Sequence, residues 1–386
     1  MKNISHVVWI LSIISLLTDT ASEMLYPIMP IYLKTIGFSV LLIGFLEGIA
    51  EATAGLSKGY FGKLSDSSKR RVPFVQIGYA ISAISKPMMG FVVYPIWIFF
   101  ARMLDRLGKG IRTGARDAIL SDEATLQTKG QVFGFHRSMD TLGAVIGPCL
   151  TLTYLYFFPE DYKTLFFIAF IPGLFAIIFS LFLKDKEIVD KESTTSIPIF
   201  SFLIYWRVSP LVYRKLVIGL LIFTLFNSSD AFLLLKIKQA GFEDTVVIGV
   251  YIFYNLIYAL FAYPIGILAD KLGLKKIFLF GLILFAIVYF GIAFNTNIYF
   301  FYVLFFLYAI YASSTEGIAK AWISNISDPK DTATAIGTFL GFQSICTMFA
   351  SSFTGFLWSQ FGAEIAFLTT AIVTILVIIY FLIIVS

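Results

Sequence analysis

Charge is what this chain has least of. Only 14% of its 386 residues are Asp, Glu, Lys or Arg, while 58% are hydrophobic. Soluble domains carry about 25% charged and 45–50% apolar residues. A string of soluble domains is therefore excluded, and a membrane class of sequence is indicated. Cysteine is almost missing. Cys149 and Cys346 are the only two, each inside an apolar stretch. Two thiols so placed give neither a disulfide framework nor metal-ligand spacing, and are expected to be small buried packing residues. HExxH, nucleophile-elbow, P-loop and dinucleotide motifs are all absent, so nothing points to an enzyme, a cofactor or nucleotide-driven work. The net charge of +5 sits in short loops between apolar runs. It therefore reports orientation rather than a nucleic-acid partner. A cleavable signal is not expected, because Asp19 and Glu23 interrupt the first apolar run.

What is abundant is long apolar stretches. A helix needs roughly 20 mostly apolar residues to cross about 30 Å of hydrocarbon. Such runs fall near ~7–34, ~39–61, ~72–93, ~95–119, ~131–157 and ~164–183. Six more fall near ~213–236, ~245–268, ~277–294, ~298–323, ~333–358 and ~363–385. Alternate loops segregate charge. One side collects sixteen cations, from Lys2, Lys63 and Arg70 through Lys184 and Arg214 to Lys276 and Lys330. The other holds little beyond Lys34, Lys163, Lys236 and Lys238. This imbalance predicts an inner-membrane protein with both termini cytoplasmic. Its expected divisions are 1–183, a central cytoplasmic stretch 184–212 with an interfacial segment, and 213–386.

The chain also repeats itself. Gly62-Lys-Leu-Ser-Asp66 recurs as Gly266-Ile-Leu-Ala-Asp270, and Ile36-Gly37-Phe38 as Ala240-Gly241-Phe242. The offset is constant: 266 − 62, 270 − 66 and 241 − 37 all equal 204. A duplicated six-helix unit follows, of the kind that encloses a substrate site near the midplane.

The loop Gly-x-x-x-Asp-(Arg/Lys)-x-Gly-x-(Arg/Lys)-(Arg/Lys), present twice, resembles the signature loop of the major facilitator superfamily. The second copy, Gly266 to Lys276 with Lys271, fits closely. In the first, Ser67 replaces a cation and Lys69 a glycine. The resemblance implies an all-α membrane fold of 12 helices in two pseudo-symmetric six-helix bundles, working as a monomer on a small molecule within the bilayer. It also implies that Gly62, Asp66 and Arg70 clip the halves in one transport state. In physical terms, Asp66 suits the free amides at a helix start. In the fifth span, Gly134, Gly143 and Gly147-Pro148 resemble the antiporter motif of the drug/proton branch, although Thr151-Leu152 stands where a glycine pair is usual. Gly143 and Gly147 permit close backbone approach, and Pro148 kinks the helix.

Ionisable residues inside spans cost roughly 2.5–3.5 kcal/mol on insertion scales and are functional by default. Asp19 and Glu23 lie four apart on one face of the first span. Two carboxylates in a low-dielectric cleft repel, which favours one holding a proton, so this pair is the candidate proton carrier. Structural ion pairing is the competing role. Arg102 and Arg106 in the fourth span, Glu47 and Glu51 in the second, and Tyr26 complete a candidate cavity. Arg112, Arg116 and Asp117 are expected to form an ion-pair cluster near the Asp66 loop, and His136 and Asp140 to pack near the loop side. In the second half, Asn227, Asp230, Glu316 and Gln343 are the candidate substrate contacts. Glu316 is expected to pair with Lys320, and Asp230 with Lys236. The leading reading is proton-coupled export of a small, partly apolar compound, with no cofactor and a proton gradient as the expected energy source. Transport of an anionic metabolite or siderophore, bound by Arg102 and Arg106, is the alternative. A lipid flippase or a membrane receptor ranks below both.

Overall fold

A computed structural model describes residues 4–38, 40–185, 201–227 and 230–384. Within these, it describes all side chains except those of 30–31, 40–41, 43–45, 47–48, 51–52, 201–203 and 244–245. The first half runs α1 (His6–Leu25), α2 (Met29–Thr35), α3 (Val40–Ser68), α4 (Val72–Phe91), α5 (Pro95–Asp122), α6 (Lys129–Phe157) and α7 (Tyr162–Ser180). After α8 (Ser201–Val208), the second half runs α9 (Leu211–Phe226), α10 (Asp230–Gln239), α11 (Asp244–Leu272) and α12 (Leu274–Phe294). It closes with α13 (Ile298–Ile326), α14 (Thr332–Phe361) and α15 (Ala363–Ile383). No strand occurs among the described residues.

Helix starts follow local chemistry. Ser5 caps α1 by accepting from the Val8 amide at 3.3 Å, and Asn297 caps α13 from Tyr299 at 2.9 Å. Proline occupies the first turn of α4 and α5, where its missing donor costs nothing. The first crossing is interrupted at 26–28, around Pro27, so α1 and α2 together make one span.

Eight segments are long and apolar enough to cross a bilayer, α9 and α10 sharing one of them. The four remaining long helices, α3, α4, α5 and α6, fall short of that mark. Eight and four make twelve. Residues 186–200 of the central stretch lie outside the described residues; beyond them α8 is only eight residues long.

The chain divides into two compact units: Met1–Glu123, Met139–Val208 and Asp328–Gly341 in the first, and Ala124–Ser138, Ser209–Ser327 and Phe342–Ser386 in the second. In the first unit α5 packs on α3 and α4, and α7 on α1 and α4. In the second α13 packs on α11 and α12, and α15 on α9 and α12. Adding 204 converts one set of pairs into the other. It also carries α3 onto α11 residue for residue (244 − 40 and 272 − 68). Cys149 is exposed and Cys346 half-buried, which corrects the expectation of buried thiols. On a spanning helix an exposed small side chain faces lipid as readily as a packed one faces protein.

Candidate functional site

The first unit holds a small polar cavity. Asp19, Ser22, Glu23 and Tyr26 line it from α1 and the turn that follows, Ser82 from α4, and Arg102, Asp105, Arg106, Lys109 and Arg112 from α5. Its volume is about 60 Å³. A water molecule needs roughly 10–15 Å³ of such space, so a few waters fit. A drug-sized ligand needs about 300 Å³ or more. In this geometry the cavity has room for water only.

One wall is an ion-pair network missing from the sequence expectations. Lys86, 1% exposed, reaches Asp105 at 3.4 Å, and Arg102 reaches the other Asp105 oxygen at 3.4 Å. Ser82 donates to Asp105 at 2.6 Å, and Lys86 donates to the Ser82 carbonyl at 3.0 Å. Paired and hydrogen-bonded in this way, the charges can be buried. The signal was present in sequence: Lys86 is a lone cation in the run ISAISKPMMG. Arg112 lies over the Tyr79 ring at 4.5 Å, with no hydrogen-bond acceptor at its Nε and Nη1. It lines the cavity rather than joining a cluster at the Asp66 loop. Arg116 pairs with the fully buried Asp117 at 2.8 Å. Glu47 and Glu51 lie on α3, but their side chains are outside those described.

The glycines of α6 set how closely it meets α1. An added Cβ at Gly143 would stand 2.5 Å from the Leu16 carbonyl and 3.0 Å from the Asp19 Cβ. At Gly147 it would stand 2.7 Å from the Thr20 carbonyl and 2.9 Å from Glu23. The glycine pattern thus packs against the turn of α1 that carries both carboxylates. Asp140, one turn before Gly143, is buried, accepts a hydrogen bond from Ser15, and lies within hydrogen-bonding reach of Asp19. It faces α1 rather than the loop side. Pro148 lies inside α6.

The two signature loops make matching contacts inside their own units. Asp66 accepts from the Thr334 amide and hydroxyl, both at 2.7 Å, at the start of α14. Asp270 accepts from the Gly130 and Gln131 amides, both at 2.7 Å, at the start of α6. Thr334 and Gly130 are again 204 apart. Free first-turn amides and the helix dipole favour a carboxylate in both places. Gly62 packs against the Ala333 backbone and Gly266 against Gly130. The arginine on Asp66 is Arg71, at 3.2 Å, which also meets Asp122 and the Pro329 carbonyl. Arg70 is exposed and does not fill the position expected of it. Lys271 is exposed as well. Asp66 lies about 40 Å along α3 at 1.5 Å per residue, beyond a 30 Å hydrocarbon layer. Burial pushes its carboxyl up to about 6, against the opposite pull of Arg71 and Thr334.

In the second unit, Tyr308 donates to Asp230 at 2.6 Å, and Asn227 donates to the Tyr311 hydroxyl at 3.3 Å. Arg137 donates to the Tyr258 hydroxyl at 2.7 Å and pairs with Glu316. Asp230 therefore meets a tyrosine where Lys236 was expected, and Glu316 meets an arginine from α6 that the sequence did not name. Tyr254, Tyr308, Tyr311, Tyr289 and Phe285 form a continuous ring cluster around these groups. Gln343 lies half-buried on α14. A separate open groove of about 850 Å³ runs along α12, α13 and α15, lined by apolar side chains with Asn295 the one amide. That lining suits acyl chains and offers little to a lipid headgroup.

The profile described as Major Facilitator Superfamily matches residues 11–254 and 239–386. The chain belongs to that superfamily. An uncharacterized MFS-type transporter of Methanocaldococcus jannaschii is 31% identical over 381 residues, 97% of this chain and 94% of the relative. A multi-drug resistance efflux pump of Streptococcus pneumoniae is 24% identical over 136 residues, 34% of either chain. Among solved structures, the human organic anion transporter MFSD10 aligns with a TM-score of 0.82 at 16% identity, over 97% of this chain and 98% of that one. The fucose:proton symporter of E. coli aligns at 0.75 and 12% identity, over 97% of both. As a major facilitator the chain is a multi-pass membrane transporter of small molecules, not an enzyme.

Proposed function

We propose that this transporter is proton-coupled and exports a small, partly apolar compound across the inner membrane by alternating access, with both termini cytoplasmic. The observation that carries this reading is the polar cavity of the first unit. There Asp19 and Glu23 meet water-sized space beside Arg102, Arg106, Lys109 and Arg112. Carboxylates so placed take up and release protons, and the neighbouring cations compete for the ionised forms. The packing of Gly143 and Gly147 on α1 and the likeness to a multi-drug efflux pump support antiport. One charge crossing 100 mV supplies about 2.3 kcal/mol, roughly a fiftyfold concentration ratio. Asp66 and Asp270, each holding a helix start, are the contacts that yield when the transporter changes state.

In inside-out vesicles, Asp19→Asn and Glu23→Gln each abolish gradient-driven accumulation, while thermal stabilisation by substrate persists. Normal accumulation by both variants overturns the reading. The second reading, carriage of an anionic metabolite, is favoured by the buried Arg112 with open donors on the cavity wall. Saturable anion uptake in the same vesicles, lost in Arg112→Gln, decides for it.

A further inference from the structure

Two rows of side chains interlock where α1 meets α6. Ser15 and Asp19 stand one turn apart on α1, and Asp140 and Gly143 stand three residues apart on α6. Ser15 donates to Asp140, and the missing side chain of Gly143 leaves the space that the Asp19 Cβ fills. The two carboxyl groups thereby come within hydrogen-bonding reach. An ionised carboxylate only accepts, so a hydrogen bond between two carboxyl groups requires one proton between them. The charged groups facing this pair are Glu23 on α1, and Lys109 and Arg116 on α5 with Asp117 beside Arg116. Arg116 reaches Ser15 at 3.5 Å, so the Ser15 hydroxyl links it to Asp140. Lys109 and Arg116 are thus placed to balance both negative charges once the proton has left.

We propose that Asp19 and Asp140 hold a single transportable proton between them, with Asp140 rather than Glu23 as the residue that shares it. Asp19 lines the water-sized cavity and Asp140 does not. The proton therefore leaves from Asp19 to cavity water, and both carboxylates remain ionised behind it. This assignment rests on the proton-coupled reading and adds a residue to it.

The test is infrared spectroscopy of the purified full chain at neutral pH, following the protonated-carboxyl stretch and its shift in deuterated buffer. Asp19→Asn and Asp140→Asn should each remove the same band. The double variant should remove no more than either single one, since the two residues share one proton. Asp140→Glu should restore the band, and Glu23→Gln should leave it. A band that survives Asp140→Asn in folded, monodisperse protein overturns the proposal, as does one that disappears in Glu23→Gln. Because the readout is the proton itself, a transporter that carries this band but ignores a proton gradient would sink the coupling reading and leave the shared proton standing.

Discussion

At the scale of single residues, charge told where to look but not who meets whom. Asp19, Glu23, Arg102 and Arg106 were legible because an ionisable group in an apolar run is costly to insert. The Lys86–Asp105 pair and the turn of Arg71 towards Asp66 were not, because they depend on which helix faces come together. Sequence spacing resolves a face, and it leaves the neighbour unnamed. Asp66 yields a prediction with a definite sign. Its carboxyl titrates at about 6 in the folded protein and near 3.9 when unfolded. Protonation therefore favours the fold. The contribution is fully present below the unfolded value and is lost as pH rises through about 6. Between pH 7.5 and 5 the thermal midpoint should rise in the parent relative to Asp66→Asn. A parent that falls relative to the variant on acidification contradicts the burial argument.

Helices were the easiest elements to read, because hydrophobic length alone marks most of them. The break at Pro27 and the division of one crossing into α9 and α10 were not legible, since both halves are apolar and a span of ~20 residues hides a short interruption. The close pairing of α1 with α6 was readable in part. The spacing of Gly143, Gly147 and Pro148 announced a tight approach, but only the fold identifies Leu16, Thr20 and Glu23 as what is approached. Backbone atoms cannot swing aside as a side-chain tip can. Gly143→Val should therefore separate the helices, at a cost of about 1–3 kcal/mol or more, and should abolish gradient-driven transport. A lower thermal midpoint with lost transport is the expected pair of readings. Gly249→Val, on α11, where an added Cβ meets nothing nearer than the Tyr302 hydroxyl at 3.7 Å, controls for expression.

For the whole molecule, the 204-residue offset was the most informative line in the sequence. It survives in helix boundaries, in helix pairings and in the two aspartates that hold helix starts. The sixteen-to-four split of loop cations makes a further prediction, tested in a variant free of Cys149 and Cys346. A cysteine introduced as Lys275→Cys should react with a membrane-impermeant maleimide in inside-out vesicles and resist it in right-side-out ones. The reverse pattern would invert the topology. Substrate was not legible at this scale, because binding surfaces of major facilitators are assembled from several helices with no motif of their own.

One backbone feature shows what duplication preserves. Gly273, after α11, has φ +102°, and Lys69, at the same place after α3, has φ +54°. Glycine enters this left-handed region freely, whereas a side chain pays roughly 1–2 kcal/mol there. Over the history of the two copies the chain has kept the corner and let the residue drift. The corner therefore tolerates its other copy's residue: Lys69→Gly should seat without moving either flanking helix, and the variant should melt higher than its parent.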